Sequence, residues 1–295
     1  MKILLCTKND IFGALILSSI LPRLVRHDVR VLLSAVVRPT ESALPELIEE
    51  KFLERDLPIE MLFPLLDKLG EDAELLTMQG AARKFNVPMD VVTRINDPHT
   101  EQALKDWAPD LIFSARFSLI FKQNILSIPR HGAYNIHPGT LPGYAGLFAP
   151  LRALMAGETT LGCTLHKIDT GIDTGPVYSV SLLPAQPHLS VFWHIEQLYV
   201  LGVASLLELL AKIEQGVMPE LQVQDPTTFR YFGMPKQKDF EQLRRTGVAL
   251  VCTNAYRELL QRFLPPHLHD DQFRSIAQWI GRVVPEASPG KSPHQ

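Results

Sequence analysis

Asn135 and His137 stand either side of one apolar residue, Ile136. On a strand, side chains two apart leave from the same face, so the amide and the imidazole would project together while Ile136 enters the core. Pro138 follows at once and ends the strand, which puts the pair at its C-terminal edge, where open α/β sheets bind ligands. Further along, Asp169-Thr170-Gly171-Ile172-Asp173-Thr174-Gly175 offers two carboxylates on one loop, and its glycines permit backbone conformations that a β-carbon forbids. An amide, an imidazole and a carboxylate gathered around one point have a definite chemistry. The first two donate hydrogen bonds to a carbonyl oxygen that is gaining negative charge, and the carboxylate favours charged imidazole or relays a proton. Each piece also has a plainer reading: the pair as structural hydrogen-bonding groups, and the loop as a turn whose Asp and Thr bond their own backbone.

The elements that must position these groups follow from periodicity. Lys2 to Cys6 reads as a buried strand, Ile11 to Val25 as a helix and Val29 to Val37 as the next strand, ended by Pro39. A β-α-β opening of this kind favours a parallel, doubly wound sheet. Residues 40–86 are expected to be helical and amphipathic, with Leu44, Leu47, Ile48 and Phe52 on one face. Strands are expected at 88–93, 111–114, 132–136, 163–168 and 177–182, and helices at 99–107, 148–156 and 191–214, the last closed by Gly216. Residues 139–146 are a loop by their glycine and proline content. The fold class is thus α/β: a Rossmann-like open, mostly parallel sheet with helices on both faces, plus a smaller C-terminal region. The expected division is a catalytic domain at 1–185, a helical or mixed extension at 186–284 and a disordered proline- and serine-rich tail at 285–295. The extension holds an aromatic cluster (Phe229, Tyr231, Phe232) and helices near 238–246, 252–263 and 270–283.

Composition narrows the class. The 295 residues are 46% hydrophobic and 21% charged, with a formal net charge of -3, ordinary globular values that supply no field to gather nucleic acid or anionic lipid. Cys6, Cys163 and Cys252 are dispersed, which argues against a disulfide framework or thiolate metal site and suits a reducing, cytoplasmic setting. Met1 to Cys6 is too short for a signal-peptide core, so none is expected, and no stretch is expected to reach the apolar length of a membrane span. Neither GxxxxGK[ST] nor GxGxxG occurs, so nucleotide hydrolysis and dinucleotide binding lack a motif. The two Asp-Thr-Gly-like turns share one loop, unlike the opposed lobes of aspartic proteases. His267-Leu268-His269-Asp270-Asp271 could suggest a metal site, but its place between prolines and a helix start reads better as a surface loop, and no metal is expected.

The segment from Asn135 to Pro176 resembles the signature of the folate-dependent formyltransferases: Asn-x-His-Pro, a Leu-Pro loop at Leu141-Pro142-Gly143-Tyr144, Gly162-Cys163-Thr164-Leu165-His166, and the Asp169–Gly175 loop, with Asp173 lying 36 residues after His137. That family includes glycinamide ribonucleotide, methionyl-tRNA and nucleotide-sugar N-formyltransferases. The resemblance implies that Asn135, His137 and Asp173 are the catalytic residues and that 10-formyltetrahydrofolate is the formyl donor, with tetrahydrofolate as product. It implies that Ser114, Ala115, Arg116 and Phe117 line the pterin pocket, with Ile168, Asp169, Thr170 and Gly171 as the opposite wall. Acceptor contacts are expected from Asn9, Asp10, Thr140, Leu141, Pro142 and Tyr144. Clear resemblance covers about residues 110–180, and none is claimed beyond about 216.

Departures from the pattern bear on the acceptor. Where the glycinamide ribonucleotide enzymes carry a glycine-rich phosphate loop, this chain reads Thr7-Lys8-Asn9-Asp10-Ile11-Phe12, a poor phosphate cradle without paired glycines. Asp10 could equally cap the helix that follows. Residues 217–295 show few of the alternating patterns of the tRNA enzymes' barrel-like domain. A small primary amine, a nucleotide-linked amino sugar or an amino-acid-like metabolite, is therefore the expected partner, with nucleic acid and membrane disfavoured and a homodimer left open. Alternatives are a 10-formyltetrahydrofolate hydrolase, a methionyl-tRNA formyltransferase-like enzyme and a non-catalytic folate-binding protein.

Overall fold

A computed structural model describes residues 1–35, 44–266, 268 and 270–283. Its strands, in chain order, are β1 (Lys2–Lys8), β2 (Asp28–Ser34), β3 (Met89–Val92), β4 (Leu111–Ala115), β5 (Ala133–His137), β6 (Ala145–Gly146), β7 (Thr160–Lys167), β8 (Val177–Pro184) and β9 (Tyr231–Phe232). Among the described residues one seven-stranded sheet forms in the order β3-β2-β1-β4-β5-β7-β8. Its first five members run parallel, and β7 and β8 are antiparallel additions. The expected mostly parallel open sheet is what forms.

The apolar run of β1 is explained by burial on both faces, as parallel central strands require. Ile3 and Leu5 enter one hydrophobic cluster with the helices Ile11–Ile20 and Val191–Glu214. Leu4 and Cys6 enter a second, across the sheet, with Leu104, Trp107 and Ile125. The helix Val191–Glu214 starts at Ser190, whose hydroxyl accepts from the Trp193 N–H, a standard N-cap. It lies close on β5 and β7 because Gly202 has no side chain: a Cβ there would stand 2.2 Å from Ile136 Cγ2. In length and hydropathy this helix does qualify as a membrane span, contrary to the sequence expectation, but its apolar face is buried in the larger cluster.

Two further expectations change. Residues 44–86 are not one amphipathic helix. An α-helix at Pro45–Lys51 continues as a wide-turned π-helix at Phe52–Leu62, a short α-helix at Phe63–Leu66, an irregular stretch, and the helix Met78–Phe85. Pro58, inside the π segment, has no N–H for an unbroken α-helical ladder. Ile48, expected on the inward face, is 56% exposed, while Leu47 is buried. The helices Gln237–Thr246, Thr253–Gln261 and Asp270–Val283 agree with those expected after residue 217. The larger hydrophobic cluster extends from Ile3 to Ile280. Residues 285–295, His267 and His269 lie outside the described residues.

Candidate active site

Strand β5 ends inside the sheet, between β4 and β7, and pairing fixes what stands beside its last polar residues. Asn135 lies opposite Ser114 of β4 on one side and His166 of β7 on the other; His137 lies opposite Thr164. The Asn135 amide nitrogen is 3.2 Å from His166 Nε2. His166 Nδ1 is 3.0 Å from the Lys167 carbonyl, which can only accept, so Nδ1 carries a proton, and Nε2 stands between the Asn135 amide and Asp173. His137 Nε2 donates to the Tyr144 carbonyl at 2.7 Å, and its Nδ1 is 3.5 Å from Asp173 Oδ2. Asp173 Oδ1 in turn lies 3.6 Å from His166 Nε2, and Oδ2 accepts from the Gly146 N–H at 2.8 Å.

One carboxylate thus sits between two imidazoles. Burial alone would push the Asp173 carboxyl up, but His137, His166 and the Gly146 N–H outweigh it and hold the group well below the usual carboxylate range. Asp173 therefore stays ionised between the two rings. The loop reaches this place at a conformational cost, with Asp173 at φ 55. Arg116 (φ 59) and Phe148 (φ 58) are also left-handed, and all three line the same cavity. Strained non-glycine backbone gathered at one spot is a mark of a functional site.

That cavity has a volume of about 330 Å³ and opens at the C-terminal ends of β1, β4 and β5, where the strand order turns back on itself. Its lining includes Asn135, His137 and Asp173 beside the apolar Phe117, Ile120 and Ile172. Phe117 stacks on Phe121, ring centroids 5.3 Å apart, which fixes that wall.

The other expected site residues divide. Arg116 and Phe117 line the cavity; Ser114 and Ala115 are buried within β4 behind it. Ile168 packs into the second cluster. Asp169 accepts from the Gly171 N–H at 3.0 Å and from the Thr174 hydroxyl at 2.7 Å, so it shapes the loop, and Thr170 and Gly171 are exposed outside the cavity. Asn9 and Asp10 do not line it either. Asp10 is fully buried and caps the helix Ile11–Ile20 by accepting from the Gly13 N–H at 2.8 Å. Thr140, Leu141 and Pro142 lie behind the lining, and the Leu141 N–H donates to the Thr164 hydroxyl. Tyr144 touches the site through its carbonyl on His137, while its hydroxyl donates to Glu158.

Several residues of the site, some lining the cavity and His166 beside it, were not anticipated from sequence. His166 could have been found, since it shares a strand face with Thr164 and that strand pairs with β5. Lys8, Glu50 and Glu54 come from β1 and the 45–62 helices, and Tyr231 and Met234 from beyond the expected domain. β9 pairs with β6, the Ala145 N–H donating to the Arg230 carbonyl and the Leu147 N–H to the Phe232 carbonyl. No local motif announces that contact.

Comparison with known proteins bears on the fold and the family. The formyl transferase family model matches residues 82–197. A methionyl-tRNA formyltransferase of Dehalococcoides mccartyi is 40% identical over 140 residues, which are 48% of this chain and 44% of that protein; the match thus spans under half of the relative's length. Among solved structures, an N-formyltransferase from Helicobacter canadensis in complex with folinic acid and dTDP-3-aminofucose superposes with a TM-score of 0.54 at 17% identity, covering 83% of this chain and 80% of that one. A glycinamide ribonucleotide transformylase from Symbiobacterium toebii superposes with a TM-score of 0.51 at 18% identity, covering 76% and 94%. These structural likenesses speak for the fold. The family model and the Dehalococcoides relative identify residues 82–197 as a domain of the formyl transferase family.

Proposed function

We propose that the protein is an N-formyltransferase that moves a formyl group from 10-formyltetrahydrofolate to a primary amine of a small acceptor. The observation that carries this reading is the meeting of Asn135, His137 and Asp173 on one cavity wall, with Asp173 3.5 Å from the His137 ring. The apolar lining of Phe117, Ile120 and Ile172 suits a pterin-sized ring. Bound folate supplies a formyl carbon that is amide-like and a poor electrophile. Asn135 compensates by offering an N–H donor to the carbonyl oxygen as charge gathers there, and His137, whose Nε2 faces the Tyr144 carbonyl and whose Nδ1 faces Asp173, gives up one of these partners to offer a second. Asp173, 3.5 Å from the His137 ring, accepts, directly or through water, the proton the amine must lose.

For the acceptor, the shortage of glycine at 7–12 and the charged lining from Lys8, Glu50 and Glu54 support a small amine, an amino sugar or amino-acid-like metabolite. A methionyl-tRNA acceptor is the second reading, favoured by the 40% identity to a methionyl-tRNA formyltransferase. Tetrahydrofolate release measured with 10-formyltetrahydrofolate alone, with small amines and with methionyl-tRNA separates these readings. Release that depends on a small amine is the expected result. Release without amine would make the protein a hydrolase, dependence on charged tRNA would select the second reading, and no release would leave a folate-binding role.

A further inference from the structure

The turn that carries Asp173 is held from two sides. Within it, Asp169 accepts from the Gly171 N–H and the Thr174 hydroxyl. From outside, the Gln224 side-chain nitrogen donates to the Asp173 carbonyl at 2.9 Å and to the Gly175 carbonyl at 2.7 Å. Both carbonyls can only accept, which fixes the amide with its nitrogen toward the turn. Its Oε1 is buried with no partner among the described residues, so the hydrogen bonds of this side chain go to the turn.

Gln224 is itself kept in place by its neighbours. Just before it, Gln222 and Val177 exchange N–H···O bonds of 2.8 Å in both directions. Further along, the Arg230 N–H donates to the Pro142 carbonyl at 3.0 Å, next to the pairing of β6 with β9. Residues 222–232 thus run as a strap from the start of β8 to the loop whose Gly146 N–H meets the Asp173 carboxylate. This strap lies beyond the formyl transferase domain at 82–197.

The backbone of Asp173 shows why the turn needs holding. At φ 55 it occupies a conformation that a β-carbon disfavours. An aspartate free to relax to negative φ would carry its carboxylate away from the His137 ring, which stands 3.5 Å off. The two bonds from Gln224 bracket Thr174 and fix the peptides that follow Asp173, which opposes that relaxation.

We propose that Gln224 is a positioning residue: held by its strap, it keeps Asp173 in the left-handed conformation from which the carboxylate reaches His137, so that a segment outside the family domain completes the active site. The role rests on the formyl-transfer reading for its effect on rate, while the geometry it asserts is read without turnover. The test compares the full chain with Gln224→Met, which keeps the side-chain length and removes the N–H donors. The His137 ring signals in proton–carbon NMR spectra, identified by their loss in His137→Ala, report whether Asp173 still stands beside the ring. In Gln224→Met they are expected to move toward their positions in Asp173→Asn, and adding Gln224→Met to Asp173→Asn is expected to move them no further. In tetrahydrofolate-release assays Gln224→Met is expected to lower kcat by about tenfold or more. The KM for 10-formyltetrahydrofolate is expected to stay put, and so is the melting temperature, because methionine also removes the buried Oε1. Unmoved His137 signals, or an unchanged kcat where the wild type turns over, would overturn the proposal. Where Gln224→Met does not fold, Gln224→Glu replaces it, with the same length and no N–H donor when ionised. Loss of the fold in both would make Gln224 a stability residue and end the proposal. Shifted His137 signals in a protein that releases no tetrahydrofolate with any acceptor leave the positioning role standing and remove the formyl-transfer reading instead.

Discussion

At the scale of single residues, the arrangement turns on one carboxylate serving two rings. If Asn135 and His137 stabilise charge on the reacting oxygen, His137→Ala should lower kcat by about 100- to 1000-fold. Steady-state rates beside a circular-dichroism melt would check this, and a near-normal rate in a folded variant would remove His137 from the chemistry. Asp173 has a pH signature as well. Its folded pKa lies below the roughly 3.9 of a free aspartate. The stability it contributes is therefore fully present above about pH 4 and is lost as pH falls through the depressed value. Denaturant titrations of wild type and Asp173→Asn should differ by a constant amount between pH 5 and 8 and converge in stronger acid. His166 acts through Asn135: with Nδ1 tied to the Lys167 carbonyl, its Nε2 stands 3.2 Å from the amide nitrogen and fixes the amide's place at the cavity. His166→Ala should cost about 1.4 kcal/mol, or tenfold, in kcat while the KM for folate stays put. A matching rise in that KM would mean that His166 shapes the pocket instead. Much of this was readable. Two-residue spacing and a following proline placed Asn135 and His137 on one edge, and the same spacing rule, applied to Thr164 and His166, would have found the fourth member. Resemblance to a family, and nothing in the loop itself, distinguished Asp173 from Asp169. Asp10 illustrates the limit, because capping and ligand contact ask for the same residue type at the same position.

Elements decide whether those residues meet. The strands of the sheet and the helix Val191–Glu214 were legible because each is a run of one periodicity bounded by proline, glycine or a cap. The 44–66 segment was not: its apolar spacing suits an α-helix, and only tertiary packing shows that it widens around Pro58 and turns Glu50 and Glu54 toward the cavity. The contribution of Tyr231 was equally hidden, since β9 is two residues long and its partner β6 also two. That small pairing depends on Gly146, which has φ +93 and whose added Cβ would lie 2.3 Å from the Phe232 carbonyl oxygen. Gly146→Ala should therefore pull residues 230–234 off the cavity rim and also disturb the N–H that Asp173 accepts. The expected result is a rate reduced by tenfold or more, with a loss of about 1–3 kcal/mol in stability, read from turnover and denaturant midpoints on one preparation. An unchanged rate would show that β9 is dispensable to the site.

For the whole molecule, Arg116 is where separate stretches of chain are tied together. Its guanidinium joins the start of the helix Ile11–Ile20 through Asp10, the π-helical segment through Glu54 and the end of β4 through its own backbone. It lies 5.0 Å from the centroid of the Phe12 ring and 5.8 Å from that of Tyr199. A charged group so deep in the protein costs several kcal/mol in desolvation, which only well-placed partners offset. Removing the cation alone leaves Asp10 and Glu54 buried without it. Arg116→Met should thus destabilise the protein by about 3–5 kcal/mol, lowering the melting temperature by roughly 10 °C. The sign of the coupling distinguishes electrostatics from packing. If stranded carboxylates cause the loss, Arg116→Met combined with Glu54→Gln should recover part of it, because one uncompensated charge disappears with the second change. If the methionine merely packs badly, the two losses should add. A double-mutant cycle in denaturant midpoints reads this directly, and simple additivity would show that the cluster is held by shape and that its charges do not bind these segments to one another.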